Sequence, residues 1–104
     1  MIRKAFRMRA YADRLAEYTE RHNPIWPELA DTLHAHGVSN YSIFHDPGTS
    51  VLFAYAEVES EERWAAIADT DVCQRWWAYM QELMDTHTDG SPVSTDLREV
   101  FHLT

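Results

Sequence analysis

Val38-Ser39-Asn40-Tyr41-Ser42-Ile43-Phe44-His45-Asp46-Pro47-Gly48-Thr49-Ser50-Val51-Leu52-Phe53-Ala54-Tyr55-Ala56-Glu57-Val58 is the stretch that decides the fold. Two strand-like runs, 38–45 and 50–58, flank a turn at Asp46-Pro47-Gly48-Thr49. There proline fixes φ and glycine is expected to supply a positive φ, so the stretch predicts a β-hairpin. In the second run Leu52, Ala54, Ala56 and Val58 form one apolar face. Val51, Phe53 and Tyr55, ending at Glu57, form the other. A strand that is apolar on both sides is covered on both sides.

Toward the N-terminus, Ile2, Lys4, Phe6 and Met8 alternate with Arg3, Ala5, Arg7 and Arg9, a strand pattern with Lys4 as its one exception. A helix opening at Asp13 places Leu15, Tyr18, Thr19 and His22 on one face. Pro24 and Pro27 disfavour helical geometry at Asn23 and Trp26, so that helix ends at about His22. A second helix restarts at Pro27, with Glu28 in its first turn, Leu29 and Leu33 facing inward, and Gly37 as its C-terminal cap. Toward the C-terminus, Ser60 caps a short helix that carries Glu61 and Glu62, and Thr70 or Asp71 opens another running to about Met84. After a polar loop, 85–95, a last strand is expected in which Leu97, Glu99, Phe101 and Leu103 alternate against Arg98, Val100 and His102. The order β-α-β-β-α-β with split helices is the ferredoxin-like α+β pattern, a four-stranded antiparallel sheet with helices on one face. The chain, 1–104, reads as one domain. Its second sheet face asks for the sheet of a twin chain, so a homodimer is expected.

Four Trp, five Tyr and four Phe in 104 residues exceed what a small core easily encloses, and some rings are expected at a ligand site or subunit interface. The net charge of −8 argues against nucleic acid or an anionic membrane as partner and against a phosphorylated ligand; a neutral small molecule fits. No window suggests a signal peptide or membrane span. The lone Cys73 lies on an apolar helical stripe. Together these features predict a soluble protein of a reducing compartment.

Tyr18 and His22, four residues apart, share a helical face. At a helix C-terminus the dipole favours protonated histidine, which suggests a proton donor beside a phenol; equally, His22 serves as a cap for the last carbonyls. Trp76 and Trp77 lie on adjacent stripes, Val72-Trp76-Tyr79-Leu83 and Cys73-Trp77-Met80-Met84. They offer either a flat wall with N–H donors, as a sugar needs, or simple wedging of the helix. Tyr41 falls in phase with Ser39, Ile43 and His45, where a buried ring is the commoner role. No metal-ligand spacing, glycine-rich phosphate loop or nucleophile elbow is present, so no metal or cofactor is expected. Cofactor-free acid–base chemistry or simple binding is left.

The combination of Tyr18-x-x-x-His22-Asn23-Pro24-Ile25-Trp26-Pro27-Glu28, Ser60-Glu61-Glu62-Arg63-Trp64, Asp71-Val72-Cys73-Gln74-Arg75-Trp76-Trp77, Ser91-Pro92-Val93-Ser94 and Glu99-Val100-Phe101 resembles the L-rhamnose mutarotase family over essentially the whole chain. The resemblance implies a dimeric α+β barrel and interconversion of the α and β anomers of L-rhamnose in the cytoplasm. It implies His22 as proton donor, with Tyr18, Tyr41, Trp76 and Trp77 contacting the sugar. The base is left open between a carboxylate and a bound water. Two other readings suit the same architecture: a cofactor-free monooxygenase using the tryptophans as an apolar pocket, and a small-molecule-binding module without catalysis.

Overall fold

The computed structural model describes all residues, 1–104. Strands β1 (Ile2–Arg9), β2 (Val38–His45), β3 (Val51–Val58) and β4 (Thr95–Leu97) form one antiparallel sheet in the order β2-β3-β1-β4. Helices α1 (Leu15–Arg21) and α2 (Pro27–Ala35) connect β1 to β2, and α3 (Glu61–Ile67) and α4 (Asp71–Met80) connect β3 to β4. This is the ferredoxin-like arrangement with both helical connections split.

The sheet is held at its centre by the β1–β3 pair, which runs unbroken from Ile2↔Val58 to Arg9↔Val51. Beneath the helices, Phe6, Met8, Leu52 and Ala54 meet Leu29, Val72, Trp76 and Met80 in one buried cluster, and Ala56 and Val58 meet Ile67 and Cys73 in a second. Lys4 shares that inward face. Its ammonium reaches Glu61 at 2.9 Å and sits 5.9 Å from the centre of the Trp64 ring, which reconciles a charge with its place in the pattern. Ser60 and Thr70 cap α3 and α4 by accepting from the N–H groups of Arg63 and Cys73. Gly37 ends α2 at φ +80°, and a Cβ there would lie 2.7 Å from a Glu59 carboxylate oxygen, so both backbone and space require glycine.

Three expectations are corrected. The positive φ of the hairpin turn belongs to Ser50 (+63°), not to Gly48; the Asp46 side chain sets the turn by accepting from Gly48 N and Thr49 Oγ1, both at 2.9 Å. A bulge in β2 between Ser39 and Ser42, with Asn40 at φ +50°, reverses the phase, so Ser39 faces outward opposite Glu57 while Tyr41 and Ile43 face the helices. Finally, β4 is only three residues long. The alternation continues to Leu103, but pairing with β1 stops at Leu97.

The outer sheet face carries two rows fixed by the register: Phe44–Phe53–Arg7–Thr95 and Ser42–Tyr55–Ala5–Leu97. Phe44 is 62% exposed and Phe53 43%.

Candidate active site

The cavity between sheet and helices has a volume of about 740 Å³, within the usual range for small-molecule sites. All five residues singled out from the sequence line it: Tyr18 and His22 from α1, Tyr41 from β2, and Trp76 and Trp77 from α4.

His22 is the C-terminal cap residue of α1, still in right-handed helical geometry, and Pro24 follows two residues later. Its ring stacks on Tyr18 at 4.5 Å and takes the edge of Trp76 at 5.2 Å. Nδ1 lies 2.9 Å from the Tyr18 carbonyl oxygen. A carbonyl only accepts, so Nδ1 carries the hydrogen and Nε2 is the nitrogen left for a ligand. Burial lowers the pKa of the imidazole below its ordinary value, and the bond to the Tyr18 carbonyl opposes this only in part. The sequence-based expectation of a ring held protonated by the helix end is therefore corrected: desolvation lowers the pKa, and the imidazole rests neutral at neutral pH. The unfolded chain takes up this proton near its ordinary pKa of about 6.5 and the folded chain only at lower pH, so stability falls as pH drops through that window.

Tyr41 belongs to an edge strand and is 37% exposed, yet the bulge turns its side chain inward so that it lines the cavity. Burial pushes the Tyr18 and Tyr41 phenols well above their ordinary range, so both act as neutral hydrogen-bond partners. Trp76 is buried, Trp77 half-buried. Trp26 braces Trp76 edge-on at 5.1 Å and is itself flanked by Tyr79, whose exposed ring is covered by the Arg21 guanidinium at 4.3 Å. Burial also pushes the Cys73 thiol up to about 11, which leaves no thiolate at neutral pH.

Sequence reasoning missed several of the lining groups. Trp64 on α3 closes the far wall, its ring 5.9 Å from Phe6 and 6.0 Å from Tyr41; its three-residue spacing from buried Ile67 was the available signal. His45 also lines the cavity, its Nε2 3.1 Å from Ser50 Oγ. The loop after α4 contributes Ser91 and Ser94, with Ser91 held by the Asp89 side chain. Nineteen of the 27 lining residues are hydrophobic and none is Asp, Glu, Lys or Arg. No three His, Cys, Asp or Glu side chains are grouped as metal ligands. No helix is long and apolar enough to cross a membrane. The arrangement suits a neutral, partly apolar ligand that presents hydroxyls to neutral donors and acceptors, with one imidazole able to exchange a proton.

The family model for L-rhamnose mutarotase matches residues 3–103. A protein from Tolumonas auensis named L-rhamnose mutarotase is 59% identical over 103 residues, covering 99% of both chains. Its namesake from Escherichia coli is 58% identical over the same share. Among solved structures, the L-rhamnose mutarotase of Formosa agariphila superposes with a TM-score of 0.92 at 38% identity over the full length of both chains. A putative antibiotic biosynthesis monooxygenase from Nitrosomonas europaea shares the fold at a TM-score of 0.64, but only 12% of the sequence, over 97% of this chain. The chain belongs to the L-rhamnose mutarotase family.

Proposed function

We propose that His22 carries the proton in the interconversion of the α and β anomers of L-rhamnose, the activity of the family to which the chain belongs. The observation that supports this role most directly is the fixed tautomer: Nδ1 is committed to the Tyr18 carbonyl and Nε2 is left on a half-buried, neutral ring. Nε2 takes the proton of the anomeric hydroxyl as the bond from C1 to the ring oxygen breaks. The resulting imidazolium returns that proton to the ring oxygen. Both oxygens are bonded to C1, so one nitrogen serves both without a second charged group. Rotation about C1–C2 then presents the other face of the aldehyde, and reclosure runs the same steps in reverse. His22 is thus both acceptor and donor, which suits a wall without carboxylates.

Tyr18 and Tyr41 supply neutral hydroxyls for the sugar's own hydroxyls, and Trp76 and Trp77 supply ring faces and edges for its C–H surfaces. Saturation-transfer NMR with L-rhamnose tests the reading: the chain accelerates exchange between anomers. Binding without faster exchange would leave only a binding module. The monooxygenase reading rests on shared fold alone, at 12% identity.

The pH dependence follows from the neutral resting ring. kcat/KM is constant at high pH and falls on acidification with a midpoint below about 6.5. A profile that instead rises as pH falls through 6.5 would require a protonated resting His22.

Selectivity follows from the apolar wall. The C6 methyl of L-rhamnose gains about 1–3 kcal/mol over a hydroxymethyl group in such a pocket, so kcat/KM for L-rhamnose exceeds that for L-mannose by roughly 10- to 200-fold. Equal values would show that the pocket does not read C6.

The working form in this proposal is a cytoplasmic homodimer with the outer sheet faces together. The exposed Phe44 and Phe53 and the unpaired Cys73 support it.

A further inference from the structure

Arg21, the residue before His22, closes α1 and is not among the residues that line the cavity. Its side chain is nonetheless only 13% exposed, whereas the other ion-paired arginines are 34–48% exposed. What covers it is the end of α4. Nη1 donates to the Tyr79 carbonyl in the last turn of that helix. Nη2 reaches the carboxylate of Glu82, just past α4, at 2.6 Å, and that of Glu17, one turn back on α1, at 3.1 Å. The guanidinium carbon lies 4.3 Å from the centre of the Tyr79 ring. An exposed ion pair holds little. A guanidinium with two nitrogens committed, a ring against it and little water around it is a fixed joint.

Tyr79 and Trp76 are three residues apart and so are neighbours on one face of α4. Arg21 takes Tyr79, and His22 meets Trp76 at 5.2 Å. Trp26 packs on both rings, 5.1 Å from Trp76 and 5.3 Å from Tyr79. Two consecutive residues at the end of α1 are thus seated on two positions of α4. One contact leaves a helix end free to pivot; two set its angle. α1 needs this, because seven residues are too few to hold a direction unaided and Pro24 follows at once. The Tyr18 carbonyl decides which nitrogen of His22 carries the hydrogen, but it belongs to the same helix and moves with the ring. It cannot decide where Nε2 points relative to α4.

We propose that Arg21 is a positioning residue for the interconversion of anomers. By clasping Tyr79 and Glu82 it fixes the end of α1 on α4, and with it the direction in which His22 Nε2 faces a sugar held against Trp76 and Trp77. This rests on the reading of His22 as proton carrier and adds what aims it.

Saturation-transfer NMR over a range of L-rhamnose concentrations, which separates kcat from KM, tests it on the parent, Arg21→Met and Arg21→Lys. A displacement of about 1 Å at a reacting group can cost about 10²-fold, so Arg21→Met lowers kcat by roughly 10- to 100-fold. KM stays within about threefold, because the sugar-contacting side chains remain. Arg21→Lys keeps the charge without the planar fork and loses nearly as much kcat. In the NMR spectrum of Arg21→Met the His22 ring keeps its Nδ1–H tautomer, while its carbon-bound ring protons shift as the ring moves relative to Trp76. A merely structural arginine would lower the thermal midpoint and leave kcat and those protons unchanged. That result, or Arg21→Lys with the parent's kcat, would overturn the proposal. If Arg21→Met fails to fold, Glu82→Gln is read in its place: it removes one charged partner and lowers kcat by roughly 3- to 10-fold, and an unchanged kcat there would overturn the proposal too. A parent that does not accelerate exchange would remove the role of His22 and the proposal together. An active parent that loses activity in His22→Ala but not in the Arg21 variants would overturn the proposal alone.

Discussion

His22→Ala loses about 10²- to 10⁴-fold in kcat, equivalent to roughly 3–5 kcal/mol of transition-state stabilisation. The loss is measured above the uncatalysed exchange of L-rhamnose anomers, which sets the floor. The variant folds. His22 is only half-buried at the end of α1, and its removal costs a contact with Tyr18 and Trp76 rather than a core side chain; the stability cost falls in the ordinary range of about 0.5–3 kcal/mol. Tyr18→Phe costs less activity, because the carbonyl that fixes the tautomer belongs to the backbone and survives. A folded His22→Ala that exchanged anomers as fast as the parent would make His22 a cap and shift attention to His45, the other imidazole on the wall.

Trp76→Ala loses about 3–5 kcal/mol of folding stability, a large share of the 5–15 kcal/mol typical of a domain. The indole is 8% exposed and touches His22, Trp26 and Tyr79 at once, so its removal opens a void that none of these rings can fill without abandoning another neighbour. Thermal unfolding shows the loss as a midpoint lowered by roughly 12–40 °C. Trp77→Ala, at a half-buried position, costs less stability and is felt more in KM. A midpoint within a few degrees of the parent for Trp76→Ala would mean that the ring is only a wall of the cavity. On this expectation the two tryptophans differ in degree: Trp76, the more buried, bears more on stability and Trp77 more on ligand.

How far the sequence was legible depended on how local each cause was. Pro24 and Pro27 split the first helical connection by sterics within two residues, and α1 ends before them and α2 begins with Pro27 as expected. The stripes of α4 follow from 3.6-residue periodicity, and both its tryptophans line the cavity. Tyr41 was singled out, but its companion Ser39 was assigned to the wrong face, because a bulge is a feature of the pair of strands and leaves no period in either one. The charge state of His22 failed for a similar reason: the dipole is a property of its own helix, whereas desolvation comes from packing among α1, α4 and the rest of the cavity wall. The alternation runs through Leu103, but periodicity says nothing of where a strand finds its partner, and pairing with β1 stops at Leu97. Trp64 went unnoticed as a wall residue because in α3, seven residues long, the spacing from Trp64 to Ile67 is a single pair and not a repeated stripe.

The absence of Asp, Glu, Lys and Arg from the cavity wall has a consequence for the surface as well. Sugar and site are both uncharged, so the field of a chain with net charge −8 neither attracts nor repels the substrate. Turnover is then indifferent to ionic strength across the range where screening changes most. Substitutions among the seventeen acidic residues, the Arg21 partners Glu17 and Glu82 excepted, can drift toward solubility or away from it without passing through catalysis. The charge of the surface and the chemistry of the cavity can therefore be tuned apart.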